Sequence, residues 1–245
     1  MATPAWRAID FISDLHLQAS EPATFSAWQH YMQTTRADAI FILGDLFEVW
    51  VGDDVLKEHG FECQCARIMQ QTAARVPLFF MHGNRDFLVG DGLMAFCDTR
   101  LLTDPTVLSF DNKRWLLSHG DALCLDDVDY MQFRATVRST DWQQTFLAKP
   151  LIERQAIARS LRQQSEARKI SGADYADVDR VAARQWLDQA ESATLIHGHT
   201  HKPAMHDLGD GLQRVVLSDW DMEAKPPRAE VLRLSSQGLR HITLT

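Results

Sequence analysis

Short runs of apolar residues recur along the chain, and each stops at a small or polar residue. The runs cover residues 7–13, 39–43, 77–81 and 114–118, and a fifth lies at 193–196. Stretches with helical spacing of apolar residues, at 24–35 and 61–74, separate the first three runs. Continuous apolar runs of this length are typical of strands buried on both faces, and their alternation with helices predicts an α/β fold.

The remaining parts of the chain have different patterns. Three further strands are predicted at residues 213–217, 229–234 and 239–245, joined by tight turns. The segment between Cys124 and Glu191 contains no strand-like run and has a helical pattern almost throughout. We therefore expect one domain over residues 1–245, with a helical cap inserted at about 125–190.

Composition limits the classes of function. The chain has 245 residues, a net charge of −8 and 45% hydrophobic residues, which suffices for one sizeable core. The acidic balance argues against nucleic-acid binding by bulk charge, and no protein partner is evident. No secretory leader and no run of about 18 apolar residues is present, so we expect a cytoplasmic protein whose four scattered cysteines are reduced thiols.

The predicted insertion differs from the rest of the chain in charge. Residues 131–170 contain eight Lys or Arg and three acidic residues, which gives +5, against −13 for the remainder. Apolar residues are interspersed among these charges, namely Trp142, Phe146, Leu147, Leu151, Ile152, Ile157 and Leu161. Two interpretations stay open: a solvated helical insertion packed on the core, or a basic and apolar cap over an anionic amphiphile or a membrane surface.

Metal-ligating side chains follow five of the predicted strands. They occur as Asp14-x-His16, Gly44-Asp45, Gly83-Asn84, His119-Gly120 and Gly198-His199-x-His201. Because ligands of open α/β sheets bind outside the carboxyl ends of the strands, five such ends can converge on one site. Seven mixed oxygen and imidazole ligands are too many for one tetrahedral ion, and they suit Mn²⁺, Fe²⁺ or Zn²⁺. The pattern predicts two divalent ions that promote hydrolysis of a phosphoester or phosphoanhydride.

The order of these motifs resembles the calcineurin-like metallophosphoesterase superfamily. The resemblance implies an α/β fold of the metallophosphoesterase type, an αββα sandwich with a helical cap insertion, and a dinuclear metal site. By this resemblance one ion is held by Asp14, His16, Asp45 and His201, and a second by the bridging Asp45 with Asn84, His119 and His199. His197 matches a position outside the ligand set, and we expect it to be structural.

Longer stretches resemble one family within this superfamily, the UDP-2,3-diacylglucosamine pyrophosphohydrolases. They cover residues 11–17, 42–48, 52–54, 82–88, 118–121 and 196–203. Arg85 follows Asn84, as in this family, where most superfamily members have His. The resemblance implies attack of water on the α-phosphorus of UDP-2,3-diacylglucosamine in lipid A biosynthesis, giving UMP and 2,3-diacylglucosamine 1-phosphate. It further implies Mn²⁺ as the metal and peripheral association with the cytoplasmic face of the inner membrane.

The same resemblance implies roles for individual residues. The expected catalytic residues are Asp45, Asn84, Arg85 and His119, and the expected substrate contacts are Asn84, Arg85, Asp127, Ser165, Lys169 and His199. The match departs after Ser165, so either Lys169 or Arg168 would replace a lysine of the family. The apolar residues of the cap would partly line a cleft for two acyl chains. Two alternatives are a generic metallophosphoesterase that acts on a soluble dinucleotide or phosphoester, and a metal-bound scaffold without turnover, whose ligands would be degenerate.

Overall fold

A computed structural model describes residues 5–170 and 176–244, with the backbone alone at 163–170. In this part of the chain the strands are β1 Ala8–Ile12, β2 Ala39–Leu43, β3 Leu78–Met81, β4 Arg100–Leu102, β5 Thr106–Phe110, β6 Lys113–Leu117, β7 Thr194–His197, β8 Met205–Gly209, β9 Leu212–Val216, β10 Glu230–Ser235 and β11 Gly238–Thr243. The helices are α1 Pro22–Thr34, α2 Phe61–Ala73, α3 Asp91–Cys97, α4 Val128–Val137, α5 Thr140–Leu147, α6 Leu151–Ile170 and α7 Arg180–Gln189. Two short 3₁₀ helices lie at Asp53–Glu58 and Asp121–Leu123.

The strands form two sheets. The first has six strands in the order β11-β10-β1-β2-β3-β4, and the second has five in the order β5-β6-β7-β9-β8. Strands β1 to β4 are mutually parallel, as are β6, β7 and β9. Parallel strands place their carboxyl ends at one edge of the sheet, so the segments that follow β1, β2 and β3, and those that follow β6 and β7, emerge together.

The buried strands pack apolar residues on both faces. In β2, Phe41 and Leu43 contact the second sheet, whereas Ile40 and Ile42 pack with the residues of α1 and α2, because successive side chains of a strand point to opposite faces. Helix α7 covers the other sheet, since Ala183 and Leu187 pack with Leu116 of β6 and with Leu195 of β7. This order of layers confirms the predicted αββα sandwich.

The helices that follow residue 125 divide into two groups. Helices α4, α5 and α6 contact the loops after β2, β3 and β6, through pairs such as Arg138 with Gly83 and Arg134 with Asp121. Helix α7 instead packs on the second sheet. The predicted insertion at 125–190 thus contains three helices over the carboxyl ends of the strands and one helix of the sandwich itself.

Most predicted elements are confirmed to within two residues. The strands β4, β5 and β8 and the helix α3 were not predicted. Strand β4 has three residues, β5 and β8 lack a continuous apolar run, and α3 has only seven residues, too few for a helical repeat to stand out. All four cysteines are buried and unpaired, as expected for reduced thiols. None of the helices, as far as they are described, combines the length and the hydropathy needed to cross a membrane.

Candidate functional site

The loops after five strands are bonded to one another at the carboxyl edge of the two sheets. The backbone N–H of Asp14 donates to the Gly44 carbonyl at 3.1 Å, and that of His16 donates to the Asp45 carbonyl at 3.1 Å. Within the second sheet, the N–H of Gly198 donates to the His119 carbonyl at 3.0 Å. The N–H of His199 donates to Asp14 Oδ2 at 2.9 Å and that of Arg85 to Asp45 Oδ1 at 2.8 Å, so the five predicted motifs meet at one place.

The backbone is held in an uncommon conformation at most of these positions. Five of the seven predicted ligands have a left-handed φ, namely Asp14 (55°), His16 (48°), Asp45 (53°), His199 (68°) and His201 (52°). Such conformations cost about 1–3 kcal/mol each for residues other than glycine, and they cluster at functional sites. The strained loops therefore indicate that the sheets hold these side chains in place for a function.

The first half of the site combines two imidazoles with two carboxylates. The Nε2 atoms of His16 and His201 lie 3.3 Å apart, and His201 Nε2 lies 3.3 Å from Asp14 Oδ1. His16 Nε2 is 3.9 Å from Asp45 Oδ2. Asp14 and Asp45 are almost completely buried. Burial opposes ionisation of Asp14, but His201, His119 and His16 hold its pKa far below the usual range.

The second half is arranged around the side-chain oxygen of Asn84. Its Oδ1 lies 3.0 Å from His119 Nε2 and 2.9 Å from His199 Nδ1. His119 Nδ1 lies 2.9 Å from the Leu43 carbonyl, which can only accept, so this nitrogen carries a proton and donates. In neutral His119 the lone pair of Nε2 would then face another acceptor, Asn84 Oδ1. Positive charge at His119, carried by an imidazolium or by a metal ion at Nε2, would satisfy this contact.

The surroundings shift the pKa values of His119 and His199 in opposite directions. Burial lowers the pKa of His119, but the Asp45, Asp14 and Asp121 carboxylates raise it to about 9. Burial and the neighbouring His119 lower the pKa of His199 to about 4. Carboxylates therefore attract a cation at His119, while His199 stays neutral and keeps a lone pair for a metal ion.

The donor set fits divalent metal ions. Ligand atoms of Asp14, His16 and His201 all lie within 4.8 Å of one another, and so do those of Asp14, Asp45 and His119. Carboxylate oxygens and imidazole nitrogens converge there, with two imidazole nitrogens in contact at 3.3 Å. This mixture is typical of Mn²⁺, Fe²⁺ and Zn²⁺ sites.

Two glycines of the motifs are required by the close approach of ligands. A Cβ atom on Gly83 would lie 2.0 Å from Asp45 Oδ1, and one on Gly198 would lie 2.2 Å from Asp14 Oδ2. Both separations are far below van der Waals contact. The Gly83-Asn84 and Gly198-His199 motifs therefore provide space for the two buried carboxylates as well as a ligand each.

Asp86 supports the site, and the sequence analysis did not identify it. Its fully buried carboxylate accepts from the N–H groups of Gly83 (2.8 Å), Asp45 (3.3 Å), Leu46 (2.8 Å) and Phe47 (3.4 Å). Burial and the charge of Asp45 raise its pKa to about 7, whereas these N–H groups act in the opposite direction. Asp86 thereby ties the loop of Asp45 to the loop of Asn84. Its place two residues after Asn84, in Asn84-Arg-Asp86, is the signal that could have found it.

Asp121 connects helix α4 to the second half of the site. Its buried carboxylate accepts from Tyr130 Oη at 2.6 Å and from Arg134 Nε at 2.8 Å. The Tyr130 ring stacks on His199, with the centroids 5.8 Å apart. Arg138 donates to the Gly83 carbonyl at 2.9 Å. The helix thus contacts a ligand residue and two of the loops that carry ligands.

The structure describes the side chains of some predicted substrate contacts and not of others. Arg85 lies in the site, where its N–H donates to Asp45 Oδ1 at 2.8 Å and its buried Nε has no hydrogen-bond partner among the described residues. Asp127 caps α4, since its side chain accepts from the Tyr130 N–H at 3.0 Å. Ser165, Arg168 and Lys169 belong to α6, but their side chains lie outside the described part of the chain.

Some apolar residues of the insertion are buried in the core, and others are exposed to solvent. Phe146 is buried in the main core, with Trp142, Leu151 and Ile157 packed around it. Trp142 stacks on Phe146 at 4.7 Å between centroids and contacts Phe87 at 6.2 Å. The exposed members are Leu147, Ile152 and Leu161, of which Ile152 is 73% exposed. The helices thus leave single apolar side chains exposed, and Ile152 and Leu161 lie on opposite faces of α6 because nine residues span two and a half turns.

Comparison with known proteins gives a consistent result. A family model described as calcineurin-like phosphoesterase matches residues 8–203. A curated relative from Chromobacterium violaceum, named UDP-2,3-diacylglucosamine hydrolase, is 47% identical over 97% of this chain and 99% of its own length. Relatives of the same name from Ralstonia nicotianae and Bordetella pertussis are 43% and 39% identical, over 91% and 97% of this chain and 88% and 93% of their own lengths.

Solved structures resemble the chain more distantly. An archaeal phosphodiesterase has a TM-score of 0.47 and 11% identity, with 96% of this chain and 99% of that chain covered. Yfce, a phosphoesterase from E. coli, has a TM-score of 0.47 and 12% identity, over 97% and 100% of the two chains. These likenesses are too distant to bear on activity.

Proposed function

The chain belongs to the calcineurin-like phosphoesterase family and, within it, to the UDP-2,3-diacylglucosamine hydrolases, and on this premise we propose the reaction and its residues. The reaction is hydrolysis of the diphosphate of UDP-2,3-diacylglucosamine by water attack on the α-phosphorus. The products are UMP and 2,3-diacylglucosamine 1-phosphate. The observation that carries the proposal is the convergence of all seven predicted ligands on one partly buried site, and the intact set also argues against a scaffold without turnover.

We propose that the seven ligands hold two divalent cations. Asp14, His16, Asp45 and His201 would form one set, and Asp45 with Asn84, His119 and His199 the other. Bound there, the ions supply positive charge for the diphosphate oxygens and lower the pKa of a water molecule. The lowered pKa of His199 leaves that ring neutral, and the Nδ1–H of His119 on the Leu43 carbonyl leaves Nε2 as the atom at which a metal ion would replace a proton; both support this assignment.

Arg85 is proposed to hold the diphosphate. A guanidinium binds phosphate oxygens through two parallel N–H groups and carries a permanent charge, so it positions the substrate and cannot act as a proton donor. Two observations support this role: the buried Nε of Arg85 has no hydrogen-bond partner within the described part of the chain, and the backbone N–H of Arg85 donates to Asp45 Oδ1. Asn84 and His199 lie close to the same region and would contact the substrate, as would Asp127, Ser165 and Lys169 from the cap helices.

The cap is proposed to take up the acyl chains. Exposed Leu147 and Leu161 support this role, the latter next to Arg162, whose side chain contacts Glu48 near His16. We further propose Mn²⁺ as the metal, a place in lipid A biosynthesis, and peripheral contact with the cytoplasmic face of the inner membrane. These assignments follow from the family resemblance and from the mixed donor set.

The test is a hydrolysis assay with purified protein, with and without Mn²⁺. UDP-2,3-diacylglucosamine and a diadenosine polyphosphate are offered side by side. Metal-dependent release of UMP from the lipid substrate is expected, and preference for the soluble dinucleotide would contradict the proposal.

Asp45→Ala is expected to abolish turnover. Arg85→Ala is expected to lower it by about 10²–10³-fold with full metal content, as for loss of one donor to a developing charge, while the exposed Arg67→Ala serves as the control.

A further inference from the structure

Glu48 is a buried carboxylate that the proposed chemistry does not use. It follows β2 by five residues and is 8% exposed. Its position opposite His16 is set by backbone pairing. The N–H of Leu17 donates to the Leu46 carbonyl at 2.9 Å, and the N–H of Glu48 donates to the Leu17 carbonyl at 3.2 Å. The loop after β1 and the loop after β2 thus run side by side with Glu48 and His16 in contact.

The two oxygens of Glu48 have different partners. Oε2 lies 3.3 Å from His16 Nδ1. Oε1 pairs with Nε of Arg162, which comes from helix α6. One carboxylate therefore contacts a predicted metal ligand on one side and the cap on the other, and both contacts are possible at the same time.

The His16 contact has a definite consequence for the ring. His16 points Nε2 at Asp45 and His201 and Nδ1 at Glu48. His16 Nδ1 makes no aligned hydrogen bond among the described residues, so Glu48 acts on the ring as a negative charge 3.3 Å from Nδ1. A carboxylate in that place favours the tautomer with the proton on Nδ1, which leaves the Nε2 lone pair directed at the site. The guanidinium of Arg162 lies against the other oxygen of Glu48 and gives the carboxylate a positively charged partner.

The Arg162 contact serves the cap. Helix α6 is also held by Arg154, whose buried guanidinium pairs with Asp54 and donates to the Val51 carbonyl. Arg154 and Arg162 lie eight residues apart, so they hold two successive parts of the helix to the segment that follows β2. Arg162 is the contact that reaches the metal site.

We infer that Glu48 is a positioning residue for His16 and, through Arg162, the anchor of helix α6 on the metal site. The inference rests on the proposed function of that site. Glu48 touches neither the reacting atoms nor the ligand nitrogen, and it acts through the orientation of the His16 ring and the placement of the helix.

The experiment compares Glu48→Gln, Arg162→Met and the exposed Glu58→Gln as a matched control. Mn²⁺ affinity of the metal-free full-length proteins is measured by calorimetric titration, and hydrogen exchange is measured on the amides of residues 151–162. Glu48→Gln is expected to weaken one of the two Mn²⁺ sites by about 10–100-fold, which is the usual effect of losing such a partner. It is also expected to speed exchange in the helix. Arg162→Met is expected to speed exchange equally, with a much smaller change in Mn²⁺ affinity, and Glu58→Gln to change neither.

Each alternative result has a definite meaning. Wild-type Mn²⁺ affinity in Glu48→Gln, or an equal loss in Arg162→Met, would overturn the positioning role. Unchanged exchange in both variants would overturn the anchoring role. A wild-type protein that binds Mn²⁺ normally and fails to hydrolyse UDP-2,3-diacylglucosamine would refute the proposed function alone, since the metal affinities of the variants are measured without substrate.

Discussion

Replacement of Asp121 by Asn tests how the cap is joined to the site. The change keeps the shape of the side chain and removes its charge. In the wild type, Oδ2 accepts from Tyr130 Oη and Arg134 Nε, and Oδ1 lies 3.4 Å from an Arg134 terminal nitrogen. An amide cannot accept on both sides, so Arg134 loses a charged partner whichever way the amide is oriented.

The magnitude follows from burial. Breaking a buried ion pair costs about 3–5 kcal/mol, and hydrogen bonds to charged groups contribute about 1.5–3 kcal/mol each. The side chain of Asp121 is fully buried, but that of Arg134 is 23% exposed and regains water. We therefore expect a loss of roughly 2–4 kcal/mol, at the lower end of the buried range. For a chain of this size, that lowers the melting temperature by roughly 4–16 °C.

The assay is thermal unfolding at neutral pH, together with hydrogen exchange in α4, and Asp98→Asn at an exposed position is the control. His119 and Arg134 outweigh burial and hold the pKa of Asp121 below its usual value of 3.8. A depressed pKa contributes stability above the ordinary value and loses it as the pH falls, so the difference between variant and wild type should shrink below about pH 4. Tyr130→Phe, which removes one hydrogen bond to the charged Asp121 and keeps the ion pair with Arg134, should cost about 1.5–3 kcal/mol. An Asp121→Asn protein that melts with the wild type at neutral pH would refute this account of the cap.

Two further predictions concern packing and thiol chemistry. Gly198→Ala should reduce bound Mn²⁺ and hydrolysis at least about tenfold, because the new Cβ would displace the predicted ligand Asp14. Changes to the residues around a metal site commonly lower metal affinity or activity by this factor. Elemental analysis of the purified protein checks this against Gly60→Ala, where the nearest atom is 3.6 Å from the Cβ position. Burial raises the pKa of Cys97 and of Cys124 to about 12, so a thiol reagent at mildly alkaline pH should label the native protein slowly and the unfolded protein rapidly. Fast labelling of native protein would contradict the burial of these thiols.

The sandwich and the site could largely be predicted because both depend on local patterns. Continuous apolar runs such as 39–43 mark strands buried on both faces, and the polar residue that ends each run marks the loop after the strand. Parallel strands bring their carboxyl ends to one edge of a sheet. Because each of five residues follows a predicted strand, the sequence predicts that they meet, namely Asp14, Asp45, Asn84, His119 and His199. Strands β5 and β8 lie at the edges of their sheet, where one neighbour is missing and the apolar signal is weaker.

The supporting residues could not be predicted in the same way. Glu48 and Arg162 are 114 positions apart, and Asp121 accepts from residues on a helix whose path the sequence does not define. In a sequence, a single carboxylate in a polar loop is typical both of a solvated surface residue and of a residue that supports a buried site. Only the packing of α4 and α6 on the loops distinguishes the two cases.

The packing of α4 and α6 also changes the interpretation of the charge of the insertion. The excess of +5 in residues 131–170 suggests attraction to anionic lipid head groups. In the part of this segment whose side chains are described, most of the cations pair with carboxylates: Arg134 and Arg138 with Asp121, Arg154 with Asp54, Arg162 with Glu48, and Lys149 with Glu153 within the segment itself. Four of these five contacts join the basic segment to the acidic body, so the opposite charges of the two parts complement each other within the molecule. Contact with a membrane surface therefore stays a prediction, and the structural feature that favours it is the exposed apolar surface of Leu147, Ile152 and Leu161 rather than the net charge.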